Sequence, residues 1–143
     1  MAMKKKSLLQ YILILLICSA TIGKTNAQDN TLANCENLLG EYISDGQEYI
    51  AHLDENNRAR FYSTFFGGSH YRIVACSDIK NIPLKMTIYD TEKNLLFNNS
   101  DYNYSPFWNF TFISTIDCII EIEYKTDKTL PNEVMLLIGF KEK

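Results

Sequence analysis

Asp117-Cys118-Ile119-Ile120-Glu121-Ile122-Glu123-Tyr124-Lys125 is the stretch whose reading decides the fold. Cys118, Ile120, Ile122 and Tyr124 fall on one side of a period-two repeat, while Asp117, Glu121 and Glu123 fall on the other. Successive strand side chains point to opposite faces, so this pattern predicts a half-buried strand with one charged face. Val134-Met135-Leu136-Leu137-Ile138-Gly139-Phe140 repeats the alternation, but Met135 and Leu137 make its second face apolar too. A strand of that kind is expected at the centre of a sheet covered on both sides.

The same period recurs upstream. Trp108, Phe110, Phe112 and Ile116 share a face of a strand predicted over Phe107–Ile116, with Asn109 and Thr111 opposite. Shorter strands are predicted over Leu95–Phe97, Leu84–Tyr89, Ser69–Cys76 and Tyr49–Leu53. In Ser69–Cys76, Tyr71, Ile73 and Ala75 share one face, and Arg72, Val74 and Cys76 share the other. In Ala59–Phe66 the inward set is Ala59, Phe61, Ser63 and Phe65, which leaves Tyr62 and Phe66 on the opposite face. Asp54-Glu55-Asn56-Asn57, Gly67-Gly68 and Asp90–Asn94 punctuate these runs with turn formers. Eight short strands separated by such turns predict an all-β chain, a two-sheet, jelly-roll-like β-sandwich.

Only the beginning departs from period two. After Asp29-Asn30-Thr31, the residues Leu32, Cys35, Leu38, Leu39 and Tyr42 recur at helical spacing, with Gly40 near the end. A short helix of about three turns is expected, capped by Thr31, its apolar stripe covering one end of a sheet. Before it, Lys4-Lys5-Lys6, the apolar run Leu8–Ile17 and the small residues Thr25 and Ala27 have the order of a secretory signal peptide. Cleavage is expected after Ala27, leaving residues 28–143 as one β-sandwich domain. Ile17 stands where a lipobox before Cys18 wants a small residue. No later run is long and apolar enough to be read as a transmembrane helix.

Loss of Lys4, Lys5, Lys6 and Lys24 leaves ten Lys/Arg against 17 Asp/Glu, a net charge of −7. Such an acidic chain without a basic cluster argues against nucleic acid as a partner. An exported chain permits a disulfide. Cys35, Cys76 and Cys118 allow three pairings, and their spacing does not choose among them.

Asp45-Gly46-Gln47, Phe65-Phe66-Gly67-Gly68-Ser69-His70-Tyr71-Arg72-Ile73, Ile88-Tyr89-Asp90, Leu96-Phe97-Asn98, Trp108-Asn109-Phe110 and Leu137-Ile138-Gly139-Phe140-Lys141 follow one another along the chain. In that order they resemble small exported jelly-roll proteins of Bacteroidetes-type bacteria that have no assigned role. The same order is distantly similar to the bacterial pre-peptidase C-terminal domain, an accessory module of secreted enzymes. The resemblance runs from about Cys35 to Lys141 and implies a β-sandwich in the periplasm or outside the cell. It implies no enzymatic activity for this chain.

Chemistry-bearing residues are sparse. His52 and His70 are the two histidines, and neither has the spacing of a zinc site. Gly67-Gly68-Ser69 lacks the Gly-x-Ser-x-Gly pattern of a hydrolase elbow. Glu121 and Glu123 are two apart on a strand face, which is ordinarily a solvated face rather than a pair of carboxylates across a cleft. Asp78, Asp90 and Asp101 are weak candidates for calcium. No cofactor and no metal is expected. The candidate binding residues are Asp101, Tyr102, Tyr104, Phe107 and Trp108, in and beside the aperiodic segment Asn98–Pro106. Aromatic rings next to amide and carboxylate groups suit a sugar or a protein partner. The expected function is a non-enzymatic exported module that binds a protein or a glycan in the cell envelope. A structural component of an envelope complex and a small secreted hydrolase are the alternatives.

Overall fold

The computed structural model describes residues 26–79, 82–126 and 133–141. The signal-peptide reading rests on residues up to Ala27 and lies almost wholly outside them. Among the described residues there are one α-helix, α1 (Asn26–Leu39), nine strands and a 3-10 helix (Asn99–Tyr102). The strands are β1 (Ile43–Ser44), β2 (Tyr49–His52), β3 (Arg58–Phe65), β4 (His70–Ser77) and β5 (Leu84–Asp90). They continue with β6 (Leu95–Asn98), β7 (Phe107–Thr111), β8 (Ile116–Tyr124) and β9 (Glu133–Lys141).

The pairing is nested. The β5–β6 hairpin is innermost, and β4–β7, β3–β8 and β2–β9 enclose it in turn, all antiparallel. Two further pairings, β4–β9 and β5–β8, roll this long hairpin into two sheets. Their orders are β2-β9-β4-β7 and β3-β8-β5-β6, with β1 also on the β9 edge. This is a jelly-roll β-sandwich, the predicted class.

The core is what the alternation requires. Ile120, Ile122 and Tyr124 of β8 face Ile73, Leu136 and Ile138 of the other sheet in one buried cluster. Met135 and Leu137 point the other way and meet Cys35, Leu39 and Val74 in a second, smaller cluster. The helix therefore covers the outer face of the β4–β9 pair, not one end of a sheet as its stripe suggested. It also starts five residues before Thr31, at Asn26.

Three features hold α1 there. Cys35 and Cys76 form a disulfide with a Cα–Cα separation of 6.0 Å. Arg72 donates to the Leu38 and Leu39 carbonyl oxygens at 3.0 and 3.2 Å, which places a cation on the negative end of the helix. Its guanidinium lies 4.6 Å from the Tyr42 ring centroid and 4.5 Å from that of Phe107. Gly139 of β9 makes the close approach possible. A Cβ there would stand 2.8 Å from Tyr42 Cβ and 2.9 Å from Leu39 Cδ2. Gly139→Ala should therefore cost about 1–3 kcal/mol, seen as a lower urea midpoint.

Two strand readings change. β1 is only two residues long, below the length at which a period can be read. The strand expected over Phe107–Ile116 is two elements, because the chain leaves one sheet at Thr111 and joins the other at Ile116. The crossing is held by the Gly68 amide donating to the Phe112 carbonyl and the Gly67 amide donating to Thr115 Oγ1. Phe112 stays core-facing across the break, which is why the alternation looked continuous.

Candidate functional site

The aromatic loop is organised around Asn99, which is 1% exposed. Its Oδ1 accepts from the Met86 amide at 2.8 Å, and its Nδ2 donates to the Leu84 and Ser105 carbonyls at 3.1 and 3.0 Å. Asn98 caps the 3-10 helix by accepting from the Ser100 amide. Asn103 and Tyr104 follow with φ of 56° and 54°, and this left-handed pair turns the chain toward β7.

That turn divides the five candidate binding residues. Tyr102 and Trp108 come together, with ring centroids 4.2 Å apart, and Phe97 stacks on Tyr102 at 5.7 Å. Tyr102 keeps 49% of its surface exposed, and Asp101 beside it is exposed. Phe107 goes to the other side of the sheet, under Arg72. Tyr104 instead lines a hollow of about 300 Å³ near Cys76 and Pro83. The rim of the loop is thus a half-exposed tyrosine on a tryptophan, with an acid next to it. From there rings run inward through Phe110 and Phe112 to Phe65 and Tyr71.

A larger concavity lies at the opposite edge of the sandwich. It measures about 670 Å³ and opens between the β1–β2 side of one sheet and β3 of the other. One wall is the consecutive run Tyr62–Phe66. The other is Asp45, Gln47 and Tyr49, where Asp45 accepts from the Tyr49 hydroxyl at 3.0 Å and from the Gln47 amide at 2.9 Å. The floor is Tyr71, Ile138 and Phe140. Tyr62 is 71% exposed and Phe66 63% exposed, although both are large and apolar in body. Their outward direction was readable from the alternation of β3. Their place beside Asp45 and Gln47 was not, because those residues lie in the turn between β1 and β2, which belong to the other sheet.

Glu121 and Glu123 are not a solvated face. Their side chains keep 12% and 18% of their surface, and both are ion-paired. Arg58 and Arg60 reach Glu121, at 3.2 and 2.8 Å, and Lys85 and Arg58 reach Glu123, at 2.7 and 3.0 Å. Cross-strand register explains this, since Arg58 and Lys85 both face Glu123 across β8. Burial pushes the Glu123 carboxyl up, but Lys85 and Arg58 outweigh it and hold it below the ordinary carboxylate value. The bond to Glu123 holds the Lys85 ammonium above its ordinary value.

A depressed acid stabilises above its unfolded pKa, about 4.3 for glutamate, and loses that contribution as pH falls through the folded value. A raised base stabilises fully below its unfolded pKa, about 10.4, and loses it as pH rises through the folded value. Glu123→Gln should therefore lower the urea midpoint at neutral pH. The gap to the parent chain should close as both are taken down through about pH 4.

His52 lies at the end of β2, 3.3 Å from Glu133, and its side chain is 82% exposed. His70 Nδ1 is 2.7 Å from Thr111 Oγ1 on the neighbouring strand. Among the described residues no three His, Cys, Asp or Glu side chains converge on a metal position. Cys118 is buried and unbridged, and burial, with Asp117 and Asp90, pushes its thiol up to about 11. It is therefore a protonated core residue at neutral pH, a poor nucleophile. No helix among the described residues is long and apolar enough to cross a membrane.

No protein-family model matches the chain, and no curated protein matches it in sequence.

Proposed function

We propose that the chain is a non-enzymatic, exported β-sandwich module that binds a protein or a glycan in the cell envelope. One observation supports this above the others: the groove of about 670 Å³ at the open edge, with Tyr62 and Phe66 exposed on its β3 wall. Ligand sites are concavities of roughly 300–1,000 Å³ with apolar walls and a few placed polar groups. Exposed rings are the residue type that anchors partners most often. Behind the groove, Phe65 of β3 packs on Tyr71 and Phe112 and so joins the two sheets, while the disulfide ties α1 to β4.

The most obvious catalytic candidates are committed to other work. Glu121 and Glu123 are held in ion pairs, and His52 and His70 sit on different strands with Glu133 and Thr111 as their partners. A secretory leader is part of the same reading, because it would carry the module to an envelope ligand.

The test is retention of native envelope material by the immobilised chain from Gln28 onward. The parent chain should hold a reproducible component at moderate salt. The Tyr62→Ser/Phe66→Ser variant should hold at least about tenfold less, as expected for loss of two anchors. Equal retention by both chains would rule out the groove as the binding surface.

A further inference from the structure

We infer that the groove takes an extended polypeptide segment as an added strand along β3, and that this segment alternates apolar with polar residues and carries basic flanks. The inference rests on the binding reading above and names the ligand class.

β3 pairs with β8 on one side and ends its sheet on the other. In an antiparallel edge strand every second residue turns its amide and carbonyl away from the neighbour. An exposed row of such groups is a template for another strand. The five residues Tyr62–Phe66 line the groove consecutively, which is how a strand presents its edge rather than one of its faces.

Charge then divides β3 into two halves. Arg58 and Arg60 occupy its first half and are tied to Glu121 and Glu123. Charged residues on an edge discourage strand addition. From Phe61 to Phe66 there is no charged residue at all. The neighbouring edge is also unsuited to a long added strand, because β1 and β2 are two and four residues long and separated by the Asp45-Gly46 turn. The open, uncharged template is thus confined to Tyr62 and Thr64, in the part of β3 that borders the groove, since the Phe66 amide already donates to the Tyr71 hydroxyl at 3.0 Å.

The side chains of an added strand would alternate between two surroundings. One set would meet the apolar floor of Tyr71, Ile138 and Phe140. The other would lie outward beside Tyr62, Thr64 and Phe66. Acids at this end include Asp45 and Asp117, the latter hydrogen-bonded to Thr64. Lys141, the cation on the lining, is paired with Glu41 at 2.8 Å. An occupant with Lys or Arg flanking its apolar positions fits that rim. A second copy of this chain fits poorly, since ten Lys/Arg against 17 Asp/Glu beyond residue 27 make two copies repel.

The experiment is selection of a random dodecapeptide display library on the folded chain, followed by hydrogen exchange on the best peptide. Enriched peptides should alternate apolar residues with polar or basic ones. They should slow amide exchange within residues 62–66. They should bind at least about tenfold more weakly when one of the two alternating sets of peptide amides is N-methylated, and nearly as well when the other set is, since only one set faces β3. Leu95→Ser, on the far edge of the same sheet, should bind as the parent does. Absence of enrichment, enrichment of acidic or helical peptides, or binding that survives N-methylation of each set in turn would overturn strand addition. If envelope retention still depended on Tyr62 and Phe66 in that case, the module would bind at the groove but take a glycan. If retention were also independent of them, the groove reading itself would fall.

Discussion

Removing the Cys35–Cys76 bridge should lower stability by about 4 kcal/mol, the largest effect expected of any single bond in the molecule. The figure follows from the 41-residue separation of the two cysteines, since a cross-link stabilises by restricting the unfolded chain. For a domain of this size it corresponds to a melting temperature lower by roughly 15–25 °C. Cys35→Ala/Cys76→Ala is the variant to measure, because it leaves no thiol free to pair with Cys118. The parent chain melted in reductant should fall to the same temperature. The loss has a structural side as well. Cys35 and Leu39 are the part of α1 that closes the cluster over Val74, Met135 and Leu137. With the bridge gone, Arg72 and the packing of Leu39 must hold the helix alone. A variant that melts within about 5 °C of the parent would mean that this packing suffices and that the chain-entropy argument does not apply here.

Asn99→Ala should cost about 3 kcal/mol, measured by urea unfolding. The side chain makes three hydrogen bonds to backbone groups, and its burial is nearly complete. Truncation leaves the Met86 amide, the Leu84 carbonyl and the Ser105 carbonyl without those partners. A buried polar group stranded in this way costs about 1–3 kcal/mol, and water entering the space recovers part of the total. A second readout separates local from global damage. The Tyr102–Trp108 contact depends on the loop being held to β5, and Trp108 is the one tryptophan in the chain. Its fluorescence should move toward that of exposed indole in folded Asn99→Ala. Unchanged emission with full stability would show that the loop is held by its left-handed turn rather than by Asn99.

Much of the sandwich was legible because period two is a local signal. Each core residue of β4, β8 and β9 was assigned to the correct face from its own strand. Ile116 was given the correct face but the wrong strand, because Phe112 keeps facing the core while the chain changes sheets, and alternation carries no mark of that change. The dipeptide β1 was too short to show a period. The helix was legible as a helix, but its docking face required Gly139 and Cys76, distant in sequence and meaningful only once β4 and β9 lie side by side. The carboxylates of β8 were read as solvated because a strand's own sequence does not contain Arg58 and Lys85, which neutralise them from either side.

The site was less legible than the fold for the same reason. The loop aromatics Tyr102, Tyr104, Phe107 and Trp108 are close in sequence, yet two left-handed residues send them to three surroundings. The groove draws Tyr62 from β3 and Phe66 from just past its end, but Asp45 and Gln47 from the β1–β2 turn and Phe140 from β9, on the other sheet's side. Only the outward direction of the first two was written in a local pattern.

Binding at the β3 groove requires that a bound ligand touch the molecule there. Amide NMR of the isotopically labelled chain from Gln28, titrated with the envelope material it retains, measures this directly. The account predicts shifts concentrated in residues 45–49 and 62–66, with those of the loop from Asp101 to Trp108 unmoved. Shifts confined to the loop, or spread without focus over the surface, would contradict binding at the β3 groove.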